Sequence, residues 1–454
     1  MLKAGTALAD ITPSLGGSLA GSMRDRTSTH VHDPLQVRCL VLDDGQQKLV
    51  LAICDLVAIR GEEVNKARHL IHSHTGIGMS NILVAATHSH SAATPGQVFQ
   101  SEADPAYLDF LVTRIADAAR CAVNNLAPAR LGYGVASEPN EVFNRRFHMK
   151  PGTMPDGPFP TTTDKVKMNP GSENPNIVEP AGPIDPEIPM IAVQHADGQP
   201  MALLANYALH YVGGGGGTDI SADYFAMWAD GIARRINACC PPVSPDRPAF
   251  LGIMTNGCSG DINNIDVRQK LVQPYPYHQM RKVAENVADA AHKVWPTIQY
   301  EADVKLGVRE RTLTLGVRKP SAADVAHAKR VLAGTGSALT KLHEIYANET
   351  LHLAERPDTK TTVVQAMRIG DVGVVTLPGE AFVEIGLELK KKSPFNVTLC
   401  IELANDYAGY IPTARHHELG GYETWRARSS YLVPDAAARI IEAGVEMLKE
   451  LANA

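Results

Sequence analysis

Short apolar runs alternate with segments of helical periodicity along the first third of the chain. The runs at 37–44, 48–59 and 81–87 are rich in Val, Ile and Leu and are bounded by turn-forming residues, which predicts buried strands. The segment 61–74 places apolar residues at helical spacing, and 104–125 opens on an Asp-Pro pair, a good N-cap and first helical turn. This alternation indicates a sheet that is covered by helices.

The same alternation continues to the end of the chain. Two apolar runs meet at Asp197-Gly198, a turn pair that favours a hairpin. Helices are predicted at 223–240 and 278–294, as a pair across 320–355, and at 429–451. Strands are predicted at 249–255, 304–317 and 396–404, and the segment 361–392 predicts a hairpin that runs into a helix. We therefore predict an α/β fold of layered, mixed β-sheets covered by helices, with the active site at strand ends and a single domain over residues 1–454.

The segment 145–189 lacks any period and is crowded with Pro, Gly, Asn and Thr. A long irregular run inside a compact domain is either a disordered link or a wall around a functional site. We predict a long irregular loop here and leave both roles open.

Composition excludes several classes of protein. The 454 residues are 44% hydrophobic and carry a net charge of -6 without charged blocks, so nucleic acid is not an expected partner. No stretch supplies the roughly 20 uninterrupted apolar residues of a membrane span, and no signal-peptide core is visible. We expect a soluble, cytoplasmic protein. The seven cysteines include no CxxC pair, which argues against a disulfide frame and a cysteine zinc site.

The apolar strand at 81–87 stops in Thr-His-Ser-His-Ser. Positions two apart in an extended segment share a face, so His88 and His90 point the same way. Imidazole binds transition metals and transfers protons near neutral pH. The alternative is a pair of solvated loop histidines.

Three other strand ends carry residues capable of chemistry. One apolar strand ends at His210, before the five glycines 213–217, which are also typical of a simple hinge. Another ends in Thr255 and the small residues up to Asp261, whose backbone N–H groups can hold an oxyanion. Thr255, Cys258 and Ser259 are the hydroxyl and thiol candidates of this turn. A third meets a Pro-Gly breaker before Glu380, which can instead complement a helix dipole. Two imidazoles and a carboxylate make a catalytic zinc set.

Eight motifs stand in the order of one known family: "ADITP", "HDPLQVRCLVLDDG", "ATHSHSAATPG", "NRR", "NYALH", "TNGCSGDINN", "LPGEAF" and "NDYAGYI…YE". One alone is a weak signal, whereas all of them in order span most of the chain. On these motifs the sequence resembles the neutral/alkaline, non-lysosomal ceramidases, zinc-dependent amidases that hydrolyse an N-acyl bond.

The resemblance implies one zinc ion per chain, with the ligands His88, His210, Glu380 and Tyr410. It also implies that His90 lies beside the metal and contacts the reacting group, and that Arg145, with Arg146 as a near alternative, and Tyr422 orient the substrate. Two departures from the family's pattern stand out: Thr255 replaces a serine, and the chain ends without the immunoglobulin-like C-terminal domain.

The leading hypothesis is a zinc-dependent hydrolase that cleaves a small-molecule or lipid-like N-acyl amide with metal-activated water. His90 would carry the proton to the leaving amine, and the turn with Asn256, Gly257 and Asp261 would bind the oxyanion or substrate. A variant makes Thr255 the nucleophile or an oxyanion donor. The rivals are an esterase or lactonase with the same centre and a non-catalytic, metal-containing binding protein. Homo-oligomerisation stays open.

Overall fold

A computed structural model describes residues 1–96, 99, 101–160, 163–240, 246–270, 272–334 and 340–454. The predicted α/β class is confirmed, because helices pack against several mixed sheets.

The strands are, in chain order, Lys3–Asp10 (β1), His30–Val31 (β2), Gln36–Asp43 (β3), Lys48–Cys54 (β4), Ile82–Ala86 (β5), Ala127–Ser137 (β6), Phe143–Asn144 (β7), Arg146–Met149 (β8), Val166–Met168 (β9), Ile177–Pro180 (β10), Glu187–His195 (β11), Pro200–Tyr207 (β12), Asp219–Ile220 (β13), Leu251–Asn256 (β14), Ile262–Asn263 (β15), Leu306–Gly316 (β16), Thr359–Ile369 (β17), Val372–Thr376 (β18), Glu380–Ala381 (β19), Val397–Ile401 (β20) and Tyr410–Ile411 (β21). The α-helices are Gly61–Thr75 (α1), Pro105–Asn124 (α2), Asp223–Cys239 (α3), His278–Val294 (α4), Ala322–Leu332 (α5), Lys341–Glu355 (α6), Val383–Lys392 (α7), Ala414–Leu419 (α8) and Ala436–Asn453 (α9). Short 3-10 turns lie at Met79–Asn81, Trp295–Thr297 and Tyr422–Thr424.

Eight strands form the larger sheet in the order β14-β12-β11-β6-β1-β3-β4-β5, and four form a second sheet in the order β16-β17-β18-β20. Most neighbours are antiparallel, but β4 with β5, β12 with β14, and β18 with β20 are parallel. Parallel strands need a long crossover, and these three contain α1, α3 and α7.

Alternate side chains of the larger sheet face different layers. In β3, Val37, Cys39 and Val41 pack with the helices α1 and α2, whereas Leu40 and Leu42 pack against the second sheet. The other face of the second sheet packs on α7 and α9. The core is therefore layered as helices, sheet, sheet and helices.

Among the described residues, no helix combines the length and the apolar character that crossing a membrane requires.

Two sequence predictions need correction. The segment 145–189 is not structureless, because its described part contains β8, β9 and β10, which form a sheet in the order β10-β8-β9. These strands have only three or four residues each, too few to show a period. The last helix begins at Ala436 and not near Ser429, since residues 430–433 instead bond to the backbone of 316–318 and 427.

Candidate metal centre

Side chains that follow three different strands converge on one point. His88 follows β5, His210 follows β12 and Glu380 follows β18. The Nε2 atoms of His88 and His210 lie 2.9 Å apart, and Glu380 Oε2 lies 3.5 Å and 3.9 Å from them, respectively. Each of these strands belongs to a parallel pair. The residues after parallel strands meet at the carboxyl ends of the sheet, which explains the predicted placement of the site at strand ends.

His88 stands in a strained backbone conformation. Its φ of 81° lies in the left-handed region, which non-glycine residues rarely adopt. The backbone N–H groups of His88 and Ser89 both donate to the carbonyl of Leu56, which holds the turn after β5. Strain of this kind is kept where a side chain must be aimed, and here it directs the His88 ring into the centre.

A third imidazole joins the cluster. His90 Nε2 lies 3.1 Å from His88 Nε2, and single ligand atoms of His88, His90 and His210 all lie within 4.8 Å of one another. His88 and His210 are 1% exposed, whereas His90 is partly exposed. His88 and His90 therefore face one point, as predicted, but the left-handed backbone of His88, and not an extended segment, brings them there.

Backbone carbonyls fix the protons of all three rings. His88 Nδ1 donates to Val57 O (2.7 Å), and His90 Nδ1 donates to Gly21 O (2.8 Å). His210 Nδ1 lies 3.2 Å from the carbonyl oxygen of Ser259. A carbonyl only accepts, so each Nδ1 carries the proton and each Nε2 presents a lone pair to the same point.

The carboxylate of Glu380 is divided between two tasks. Its Oε1 accepts a hydrogen bond from the Tyr407 hydroxyl (2.8 Å), while its buried Oε2 has no hydrogen-bond partner among the described residues. Glu380 also pairs with Tyr410 across β19 and β21. One oxygen is thus oriented and the other stays open toward the three Nε2 atoms.

Burial and mutual proximity set the charges of the centre. Burial and the neighbouring His88 hold the pKa values of His90 and His210 well below the ordinary range of histidine, so both rings are neutral near pH 7. Burial alone would raise the pKa of Glu380, but the adjacent His88 lowers it below its ordinary value. The centre therefore offers an ionised carboxylate beside the neutral imidazoles of His90 and His210.

This donor set fits a zinc ion. The Nε2 atoms of His210 and His90 lie 2.9 Å and 3.1 Å from that of His88, and their lone pairs repel it unless a cation lies between them. An unpartnered buried carboxylate oxygen faces the same point. Hydrogen bonds from the outer nitrogens to carbonyls are the support that zinc-binding histidines require.

A buried ionic network stands behind the centre. Arg145 donates to Glu423 Oε1 (2.9 Å), to the carbonyl of Gly260 (2.7 Å) and to the Tyr410 hydroxyl (3.1 Å). Arg146 binds the second oxygen of Glu423 at 2.5 Å. Arg145 thus holds the Tyr410 hydroxyl, and burial next to Glu380 raises the pKa of that phenol well above its ordinary value.

Two pockets open on the centre, and His90, Tyr410 and Tyr422 line both. The first, called here the arginine pocket, has a volume of about 150 Å³ and continues along Arg60, Phe99, Arg356, Tyr407 and Arg428. The second, called the tryptophan pocket, has a volume of about 470 Å³ and continues along Arg145, Met154, Lys167, Tyr211 and Trp425. A substrate that lies across the centre would place one half in each pocket.

No family model and no curated protein matches this sequence. Solved structures do match: the neutral ceramidase from Pseudomonas aeruginosa aligns over 100% of this chain and 74% of its own length, with a TM-score of 0.73 and 18% identity. The chain has the fold of a neutral ceramidase. A ceramidase in complex with C2 aligns over 100% of this chain and 75% of its own length, with a TM-score of 0.72 and 17% identity. The resemblance drawn from the sequence motifs is thereby confirmed at the level of the fold.

In this ceramidase fold, Thr255 lies inside the larger sheet. Its side chain is 0% exposed, and its hydroxyl donates to Ala205 O and accepts from Asn206, both at 2.9 Å. It lines neither pocket. The structure therefore does not bring Thr255 together with the pocket residues.

The other residues of that turn have internal partners or no access. Gly257 N donates to Tyr207 O, and Asp261 accepts from Val383 N and from the Asn144 amide. Asn256 is fully buried, and its side-chain amide has no hydrogen-bond partner among the described residues. None of Asn256, Gly257 and Asp261 lines either pocket.

Sequence reasoning missed two residues of the centre. Tyr407 lies in the motif "NDYAGY", in which the family resemblance points to Tyr410 instead. Glu402 follows the strand β20, and it accepts hydrogen bonds from Ser259 Oγ (2.6 Å) and Ala381 N (2.8 Å), next to the carbonyl that holds His210. The signal that led to His88, a polar residue directly after an apolar strand, is present at Glu402 as well.

Proposed function

We propose that the protein is a zinc-dependent hydrolase that cleaves the N-acyl bond of a small-molecule or lipid-like amide. The observation that carries the proposal is the convergence of three imidazole lone pairs and one open carboxylate oxygen between two pockets. The ceramidase fold supports the choice of an amide over other substrates.

His88, His210 and Glu380 would hold the metal, with Tyr410 as a fourth ligand. Zinc bound there supplies a Lewis acid that polarises an acyl carbonyl and lowers the pKa of water. Every further step belongs to side chains of the chain itself.

His90 is the proton carrier of the proposal. Its Nδ1 proton is engaged by Gly21, so its Nε2 takes and returns a proton where the two pockets meet. Tyr422 lines both pockets and would orient the acyl group. Arg145, which is 5% exposed, would position Tyr410 and contact the substrate in the tryptophan pocket.

The test combines metal analysis with hydrolysis. Purified protein is expected to contain one zinc per chain and to hydrolyse some members of a panel of N-acyl sphingosines, short N-acyl amino acids and N-acyl amino sugars. Removal of zinc should abolish hydrolysis, and zinc added back should restore it. Stoichiometric zinc without hydrolysis of any member would favour the binding-protein alternative.

Matched esters separate the remaining rival. The two substrates have the same acyl chain and the same leaving half, and they differ only in the oxygen or nitrogen that joins them. Both are compared at equal concentration. Turnover of the amide, after allowance for its lower intrinsic reactivity, supports the proposal. Turnover of esters or lactones alone would overturn it in favour of an esterase.

A further inference from the structure

The arginine pocket carries more positive charge than its own carboxylate balances. Three guanidinium groups line it, those of Arg60, Arg356 and Arg428. The carboxylate among its lining residues is Glu380, which the proposed function assigns to the metal. The positive side chains give the pocket a field that attracts anions.

Two of the three guanidinium groups have carboxylate partners. Arg428 donates to Glu349 from Nε and Nη2, and its Nη2 also donates to the carbonyl of Phe99. Arg60 binds Glu63 through Nε and Nη2 at 3.2 Å and 2.9 Å. Its Nη1 makes no hydrogen bond to the described residues, and its side chain is 44% exposed.

Arg356 has no such partner. Its guanidinium lies 4.4 Å above the ring centre of Tyr431, and it forms an ion pair with no carboxylate of the described residues. The residues outside the described part include no Asp or Glu, so the sequence holds no further candidate for its counter-charge. The Tyr431 hydroxyl also accepts a hydrogen bond from this guanidinium, but the other N–H groups of its planar fork stay available for an anion.

We infer that the half of the substrate that occupies the arginine pocket ends in an anionic group, a carboxylate or a phosphate, which binds Arg356 and the free Nη1 of Arg60. The inference rests on the proposed function, because it requires a substrate that lies across the centre. Met23, Val57 and Phe99 add an apolar lining to the same pocket, which suits an uncharged stretch between the scissile bond and the anion.

Four matched amides test the inference. The first is a neutral N-acyl amide. The second carries a carboxylate at the far end of the acyl chain, and the third carries it on the amine half. The fourth has a phosphate in place of the carboxylate of whichever anionic amide is hydrolysed faster. The wild-type zinc protein is expected to hydrolyse one anionic amide with kcat/KM about tenfold above that of the neutral amide, mainly through a lower KM.

The ratio of the two kcat/KM values is then measured in variants, because a ratio is insensitive to partial loss of folded or zinc-loaded protein. Arg356→Gln should bring the ratio close to one, Arg60→Gln should lower it in part, and Arg356→Lys should keep part of it. Arg234→Gln, on an exposed guanidinium that lines neither pocket, is the matched control and should leave the ratio unchanged.

Different experimental outcomes would overturn this inference and the proposed function. Equal hydrolysis of neutral and anionic amides, or an anion preference that Arg356→Gln leaves unchanged, overturns the inference while amide hydrolysis stands. Zinc-loaded protein that hydrolyses none of the amides overturns both.

Discussion

His88 and His90 lie two positions apart in the sequence, but their surroundings in the centre differ. His88 is buried, strained and directed at Glu380. His90 is partly exposed, lines both pockets and stacks on Tyr211 at a ring distance of 3.6 Å. The first surroundings suit a metal ligand and the second suit a group that exchanges protons with a substrate.

The variants His88→Ala, His210→Ala and Glu380→Gln should each lose zinc, since each removes one donor from the centre. His90→Ala should keep zinc and lose rate by about a hundredfold or more, the usual contribution of a positioned acid or base. Metal analysis and steady-state rates on the same samples check both statements. Full zinc in the first three variants would show that the ligands are wrong, and loss of zinc in His90→Ala would make His90 a ligand.

Tyr407→Phe should weaken zinc binding about tenfold without removing a ligand, because supporting hydrogen bonds of metal ligands have effects of this size. The lost hydroxyl is the one that donates to Glu380 Oε1. Competition with a chelator measures the Kd for zinc. Tyr300→Phe, which removes a buried hydroxyl that has no hydrogen-bond partner among the described residues, is the control. An unchanged Kd in Tyr407→Phe would show that Glu380 does not need this support.

Three crossovers bring the strand ends together. α1, α3 and α7 each connect the two strands of a parallel pair, so the carboxyl ends of those pairs lie at one edge of the layered core.

In the turn after β14, Asp261 accepts hydrogen bonds from neighbouring elements, whereas the sequence suggested that it binds the substrate. Its carboxylate receives Val383 N, at the start of α7, and the side chain of Asn144. Asp261 thus ties a helix and a short strand to the turn.

Asp261→Ala should lower the free energy of unfolding by about 2 kcal/mol, since it leaves Val383 N without its acceptor in a buried place and leaves the Asn144 amide with Pro183 O alone. Urea unfolding measures this change. Asp104→Ala, which removes the exposed N-cap of α2, should cost about 1 kcal/mol. Unchanged stability of Asp261→Ala together with lost hydrolysis would instead support the role in substrate binding that the sequence suggested.

In the molecule as a whole, one carboxylate joins distant parts of the chain. Glu423 is fully buried and binds Arg145 and Arg146, which begin the segment 145–189. Burial alone would raise the pKa of Glu423, but Arg146 and Arg145 outweigh burial and hold it below its ordinary value of 4.5. Its stabilising contribution is therefore complete above about pH 4.5 and is lost as the pH falls through the lower pKa of the folded state.

Glu423→Gln should lower the free energy of unfolding by about 3 kcal/mol at pH 7, because two buried guanidinium groups lose their shared counter-charge. The difference from the wild type should shrink as the pH falls below 4.5. Urea unfolding at a series of pH values checks both. Glu446→Gln, which breaks a surface pair with Arg311, should cost about 1 kcal/mol or less. Equal effects of the two substitutions would contradict the assignment of a buried network.

Local pattern determined much of this fold. Apolar runs with turn residues between them predicted β3, β4, β5 and β12, and helical spacing predicted α1 to α4, because burial on one face imposes a period on the sequence. Patterns failed where elements are too short to repeat, as in β8 to β10, and where a long-range backbone partner replaced a helical turn, as before α9.

The sequence by itself determined which residues end the strands, and with the motif order this named His88, His210 and Glu380. Only the tertiary structure decided how these side chains meet, that Tyr407 supports Glu380, and that Arg145 binds Glu423 from 278 positions away. The reason is physical. Strands and helices follow from neighbours in the chain, whereas hydrogen bonds and ion pairs of a centre form between segments that only packing brings together.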